Sequence, residues 1–180
     1  MANYFCHRNN RPTQGGGTMI LVRRGIDHYS VPVANLRQME ATNICVNIGG
    51  RPVKIVVVYL PPLRSLVDAD LLGCISGGTL LPLPGDLKAK HKDWNSRPNS
   101  PRGVLLREFA STNSCILSGP DSATTIPSSP TDEEPDVLDI LVVKDFVLPA
   151  NMTVCSALSS DHFPITVDLR GRSSFQTGQA

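Results

Sequence analysis

The stretch from Met39 to Tyr59 limits the fold more than any other. Glu40, Thr42, Ile44, Val46 and Ile48 alternate with Ala41, Asn43, Cys45 and Asn47, which is the period of a half-buried strand. Gly49-Gly50 then turns the chain. Residues 53–59, VKIVVVY, are β-branched and continuous enough for a buried central strand, and Pro61-Pro62 ends it because proline offers no ladder donor. This antiparallel start is consistent with a sheet packed face to face on another.

The remaining segments are shorter. Residues 1–14 read as polar and turn-like, and Gly15-Gly16-Gly17 as a hinge or tight turn. A glycine triplet can cradle phosphate, but no Lys-Ser/Thr follows, so a P-loop is excluded. Strands are predicted at 18–23 and 29–33. Ser65-Leu-Val-Asp68 has capping-box spacing, with Leu66, Ala69 and Leu72 lining a short helix that ends at Gly77-Gly78. Residues 79–83 read as a strand, weakened by Pro82 and followed by Pro84. A helix over 102–112 would turn Leu105, Leu106 and Phe109 to the core, with Asn113 near its end. Strands follow at 115–117, 137–143, 152–157 and 164–169. Between them, 118–136 is a long Ser/Thr/Pro-rich loop, a length that marks either function or mobility.

At 180 residues, 41% hydrophobic and 18% charged, the chain suits one domain and excludes wholesale disorder. The domain is expected over 15–169, after a polar segment at 1–14 and before a disordered tail or linker at 170–180. The net charge of +1 predicts no polyanionic partner by itself. Its distribution is uneven: residues 1–64 carry eight Lys/Arg against two acids, and residues 65–180 carry nine against fourteen. That split is compatible with phosphate binding beside an acidic site, and equally with solvated surface charge. Five scattered cysteines without Cys-x-x-Cys spacing argue for reduced thiols in an intracellular protein, nuclear or cytoplasmic. No apolar run approaches a membrane span.

Chemistry concentrates in three places. In PGDLKAKHKDWNS (84–96), Asp86 follows an apolar run, where a strand gives way to a loop and α/β enzymes place metal ligands and bases. His91 and Trp94 follow it closely. In PDVLDI (135–140), Asp139 is an acid embedded in an apolar strand, and Ser160-Asp161-His162 lies near the C-terminus. Singly, each has an ordinary explanation: a turn or cap for Asp86, core packing for Tyr59, His91 and Trp94, a plain loop for the Ser-Asp-His triplet. Three adjacent residues cannot form a serine-hydrolase triad, and no Gly-x-Ser-x-Gly elbow is present.

Taken in order, VYLPP (58–62), GDLKAKHKDWNS, PDVLDI and ALSSDHFPI (157–165) resemble the endonuclease/exonuclease/phosphatase superfamily, and within it the endonuclease domain of jockey-type non-LTR retrotransposons. The resemblance covers roughly residues 15–169. It implies an α/β fold, a four-layer sandwich of two packed, mostly antiparallel sheets flanked by helices, here lacking the first strand and helix. It implies metal-dependent nicking of DNA, with Asp86 orienting water, His162 contacting phosphate or water, Asp139 orienting His162, and Tyr59 donating its hydroxyl. Lys88, His91, Trp94 and Thr125 would meet substrate. Asp161 would help hold Mg²⁺ or Mn²⁺, and the parent polyprotein would carry a reverse transcriptase domain.

Two departures stand out. The family has asparagine two residues after the Gly-Asp acid, where this chain has Lys88, an ammonium with donors and charge but no acceptor. Nothing in residues 1–14 matches the family's metal-binding glutamate, and Glu40 falls on a later strand. The expectation is therefore a weakly metal-binding, catalytically impaired endonuclease domain. The alternative is a non-catalytic nucleic-acid-binding remnant.

Overall fold

A computed structural model describes residues 3–9, 17–33, 35–77, 80–83, 85, 87–127, 134–145, 150–157 and 160–169. In chain order its elements are β1 (Tyr4–Asn9), β2 (Thr18–Arg23), β3 (His28–Ser30), β4 (Glu40–Ile48), β5 (Arg51–Tyr59), α1 (Asp68–Ile75), β6 (Leu80–Leu83), a 3-10 turn (Lys92–Trp94), α2 (Pro101–Thr112), β7 (Cys115–Ser118), β8 (Leu141–Lys144), β9 (Ala150–Val154) and β10 (Ile165–Leu169). Asp86 and residues 170–180, the latter read as a tail or linker, lie outside the described residues.

The expected hairpin is the centre of a six-stranded sheet ordered β3-β4-β5-β6-β8-β7. Gly49 and Gly50 have φ of +59° and +80°, angles that glycine alone takes in succession without steric cost. Pairing runs from Ile48↔Arg51 beside the turn to Glu40↔Tyr59 at the open end. β6 joins β5 in parallel, while its register with β8 is the single pair Leu80↔Lys144. Pro82 lacks the amide a longer ladder would need.

Alternation along β4 and β5 divides the core. Val56 and Val58 face α1 and α2 together with Leu71, Ile75, Leu106 and Phe109. On the opposite face, Ile44 and Val46 meet Ile20 and Val22 of β2, and Val53 meets Leu141, Val143, Met152 and Val167. The antiparallel hairpins β1-β2 and β9-β10 thus form a second β layer, as expected for two packed sheets. Both described helices lie on the other side of the six-stranded sheet.

Several local readings change. Residues 4–9, expected to be turn-like, form β1 and pair β2 from Tyr4↔Arg23 to Asn9↔Thr18, so one side of the 18–23 strand is covered. β1 is mostly exposed and buries no apolar stripe, which is why periodicity missed it. The Ser65–Asp68 capping box does not form: α1 starts at Asp68, and its N-cap Val67 has no side-chain cap bond. Its buried face is Asp70, Leu71, Cys74 and Ile75, and Leu72 is exposed. In α2, Leu106 and Phe109 face the core but Leu105 does not. All five cysteines are free.

Candidate active site

Because β5 and β6 are parallel, their C-terminal ends reach the same edge of the sheet. Gly85, just beyond β6, fits there only without a side chain: a Cβ would lie 1.6 Å from the Val58 carbonyl oxygen. Gly85 is thereby held against the end of β5, where Tyr59 sits half-buried. Glu40 is its register partner on β4, so the two side chains share one face as cross-strand neighbours. The Glu40 carboxylate accepts the Gly17 amide at 2.6 Å.

Asp139 and His162, 23 residues apart in sequence, meet with Nδ1 3.0 Å from Oδ2. A carboxylate only accepts, so Nδ1 carries the donated proton and Nε2 is left for other work. The acid is largely buried and the imidazole about one-third exposed (14% and 32% side-chain exposure), so the pair opens to solvent on the histidine side.

The segment that brings them together is Thr124–Thr125, which fastens two strands of chain. The buried Thr124 hydroxyl accepts the Leu138 and Asp139 amides at 2.9 and 3.1 Å. Those bonds also explain why 137–140, expected as strand, is held by loop contacts and β8 starts only at Leu141. On the other side, Phe163 N donates to the Thr124 carbonyl and Ile126 N to that of Asp161, at 2.8 and 2.9 Å. Thr125 bridges Asp136 and His162, and its hydroxyl donates to the Asp136 carbonyl at 3.1 Å. Its hydroxyl is therefore committed to the backbone, which makes Thr125 a positioning residue more readily than a substrate contact.

A second fastening joins the GDLKAKHKDWNS and PDVLDI segments. Asp136, 4% exposed, accepts the Arg97 and Val137 amides at 2.9 and 2.8 Å and pairs with Lys90 at 3.2 Å. The Ser96 hydroxyl donates to the Val137 carbonyl at 2.7 Å. Neither Thr124 nor Asp136 was singled out from sequence, because nothing local distinguishes a buried anchoring acid or hydroxyl from a surface one.

Two expected substrate contacts turn inward. Trp94 is fully buried, its indole N–H donating to the Ala89 carbonyl at 3.2 Å. His91 stacks on it at 5.1 Å and accepts the Asp93 amide through Nδ1. Trp94 is thus part of the core, and His91 is half-buried against it. Lys88 is exposed and takes φ of +46°, the left-handed region in which asparagine is enriched and lysine is not. It makes at least one further interaction. Asp161 is exposed, and its carboxylate accepts the Ser160 hydroxyl at 3.3 Å.

Among the described residues, no three His, Cys, Asp or Glu side chains converge as metal ligands do. Asp139 is committed to His162, and Asp161 alone is too few donors for a hard divalent ion, which takes six or more oxygens. The described donor set therefore does not by itself complete the metal site that the resemblance implies. No helix among the described residues is long and apolar enough to cross a membrane.

Known proteins share both the sequence and the fold. Residues 53–166, from β5 into β10, match the family model described as Endonuclease-reverse transcriptase. Over 157 residues, 86% of the chain, it is 28% identical to the RNA-directed DNA polymerase from mobile element jockey of Drosophila funebris. Over 158 residues, also 86%, it is 26% identical to the probable RNA-directed DNA polymerase from transposon BS of Drosophila melanogaster. The chain spans 17% of the length of each of these relatives. In three dimensions it resembles the endonuclease domain of TRAS1, a telomere-specific non-LTR retrotransposon, with a TM-score of 0.78, 15% identity, and coverage of 94% of this chain and 81% of that one. With a family match over more than half of its residues, enclosing Tyr59, Asp139 and His162, the chain belongs to the Endonuclease-reverse transcriptase family.

Proposed function

We propose that the chain is a retrotransposon-type DNA endonuclease domain that hydrolyses a phosphodiester bond to nick DNA, with catalysis weakened in this copy. The observation that carries this reading is the Asp139–His162 pair, assembled from distant segments by dedicated backbone clamps. Asp139 fixes the imidazole tautomer and orientation, as an acid behind a catalytic histidine does. The Nε2 side of His162 is then set to contact a phosphoryl oxygen or the attacking water, where charge develops in the transition state. Tyr59, at the same sheet edge as Gly85, would donate its hydroxyl to the phosphate, and Asp86 would orient the water. Trp94 and His91 support the loop from below.

Mg²⁺ or Mn²⁺ would supply charge neutralisation when bound. With Asp161 as its described carboxylate, binding is expected to be weak, and calorimetry giving micromolar affinity would contradict that. The partner is DNA, and by similarity to the two polymerases a reverse transcriptase domain belongs to the same polyprotein. A second reading, a non-catalytic nucleic-acid-binding remnant, is favoured by Lys88 at the asparagine position and by the incomplete donor set.

Conversion of supercoiled plasmid to open circle separates the readings. The endonuclease reading expects slow, divalent-dependent nicking that His162→Ala abolishes. DNA binding with no nicking by the wild type at high Mn²⁺ would establish the remnant instead.

A further inference from the structure

Away from that site, two imidazoles from different layers meet edge to face. His7 lies on β1 of the outer layer and His28 opens β3 at the edge of the six-stranded sheet. Their ring centroids are 4.9 Å apart with planes at 87°, and their Nε2 atoms are 2.9 Å apart. Both side chains are half-buried.

The tautomers follow from the partners. His28 Nδ1 lies 2.8 Å from the Ile26 carbonyl oxygen. A carbonyl only accepts, so Nδ1 holds the proton and the neutral ring presents a bare lone pair at Nε2. A histidine whose second N–H is fixed on a backbone carbonyl is oriented as metal-ligating histidines are. His7 donates its own Nε2 proton to that lone pair. Its Nδ1 makes no hydrogen bond among the described residues, so turning the ring breaks only the Nε2 bond to His28.

We propose that His7 and His28 form a binding site for a borderline divalent ion, Ni²⁺ or Cu²⁺, which takes the place of the shared proton and fastens the β1-β2 hairpin to β3. His7 changes tautomer as the ion enters. Its proton moves from Nε2 to Nδ1 through solvent, so two neutral rings bind through Nε2 with no net proton release. Two nitrogens at about 2.0–2.1 Å from a tetragonal or octahedral ion, at right angles around it, are about 2.9 Å apart, the separation already present. The His7 ring must rotate so that its lone pair aims at the ion and not at His28. No third His, Cys, Asp or Glu completes the cluster among the described residues, so water fills the other positions. Imidazole donors select these ions over Mg²⁺, which prefers oxygen. The site is therefore chemically distinct from the one proposed for catalysis.

The test is calorimetric titration of the full chain with Ni²⁺, alongside His7→Asn, His28→Asn and Asp161→Asn. One ion per chain is expected, with affinity about tenfold or more lower in each histidine variant and unchanged in Asp161→Asn. Ni²⁺ binding that survives both histidine substitutions overturns the proposal. Should a variant fail to fold, Cu²⁺ added to the wild type decides it. An electron paramagnetic resonance spectrum with hyperfine coupling to two imidazole nitrogens supports the site, and its absence overturns it.

Discussion

Replacing Lys88 with asparagine should make the protein more stable, although Lys88 is exposed. The cause is its backbone, held at φ of +46°. Left-handed backbone costs an ordinary L-residue roughly 1–2 kcal/mol, and asparagine recovers part of that because its short amide bonds locally. A gain of about 0.5–1 kcal/mol is expected from this source. Against it stands the loss of whatever Lys88 now contacts, which for an exposed charge is about 0–1 kcal/mol. Glutamine separates the two, since Lys88→Gln removes the charge without supplying the left-handed preference. Urea denaturation should then find Lys88→Asn more stable than Lys88→Gln by about 0.5–1 kcal/mol, roughly 1–4 °C in Tm for a chain of this length. Equal stability of the two variants would refute the reasoning, because charge and not backbone would then be what position 88 selects.

Asp70→Ala should cost about 2–4 kcal/mol, read from the denaturation midpoint. The Asp70 carboxylate, 1% exposed, accepts the Arg37, Gln38 and Met39 amides at 2.9, 2.7 and 2.9 Å, and its loss strands those donors. Stability should also fall at alkaline pH. Burial pushes the Cys74 thiol from 9.0 up to about 11, so between those values the folded chain holds a proton the unfolded chain has released. Stability present below pH 9 is therefore lost as pH rises toward 11, by about 2–3 kcal/mol. Burial lowers Lys54, whose ammonium donates to the Cys74 carbonyl, and this acts in the opposite direction just below 10.5. Cys74→Ala should flatten the descent; an unchanged pH profile in that variant would assign it elsewhere.

Much of this fold is legible in the sequence, the register of the central hairpin above all. A two-residue Gly-Gly turn fixes Ile48 opposite Arg51, and counting outward puts Glu40 opposite Tyr59. That count places a carboxylate beside the tyrosine at the site's edge. Asp139 and His162 were legible as a pair because four segments occur in the family's order. What holds them was not: Thr124 acts through its hydroxyl on the Leu138 and Asp139 amides, a contact set only when three distant segments converge. Trp94 and His91 read as substrate contacts because both closely follow Asp86, yet Trp94 is fully buried, and proximity in sequence does not report burial. β1 escaped notice for the reverse reason. Its stability comes from main-chain pairing with β2 and not from an apolar stripe.

The central claim is that His162, held by Asp139, contributes to DNA cleavage as one unit. Single-turnover plasmid nicking in Mn²⁺ by the wild type, Asp139→Asn, His162→Ala and the double variant tests it directly. Each single substitution should slow nicking by about 10²-fold or more, and the double variant should be no slower than His162→Ala, since the acid acts only through the imidazole. Losses that multiply in the double variant, or His162→Ala nicking within about tenfold of the wild-type rate, would contradict the account.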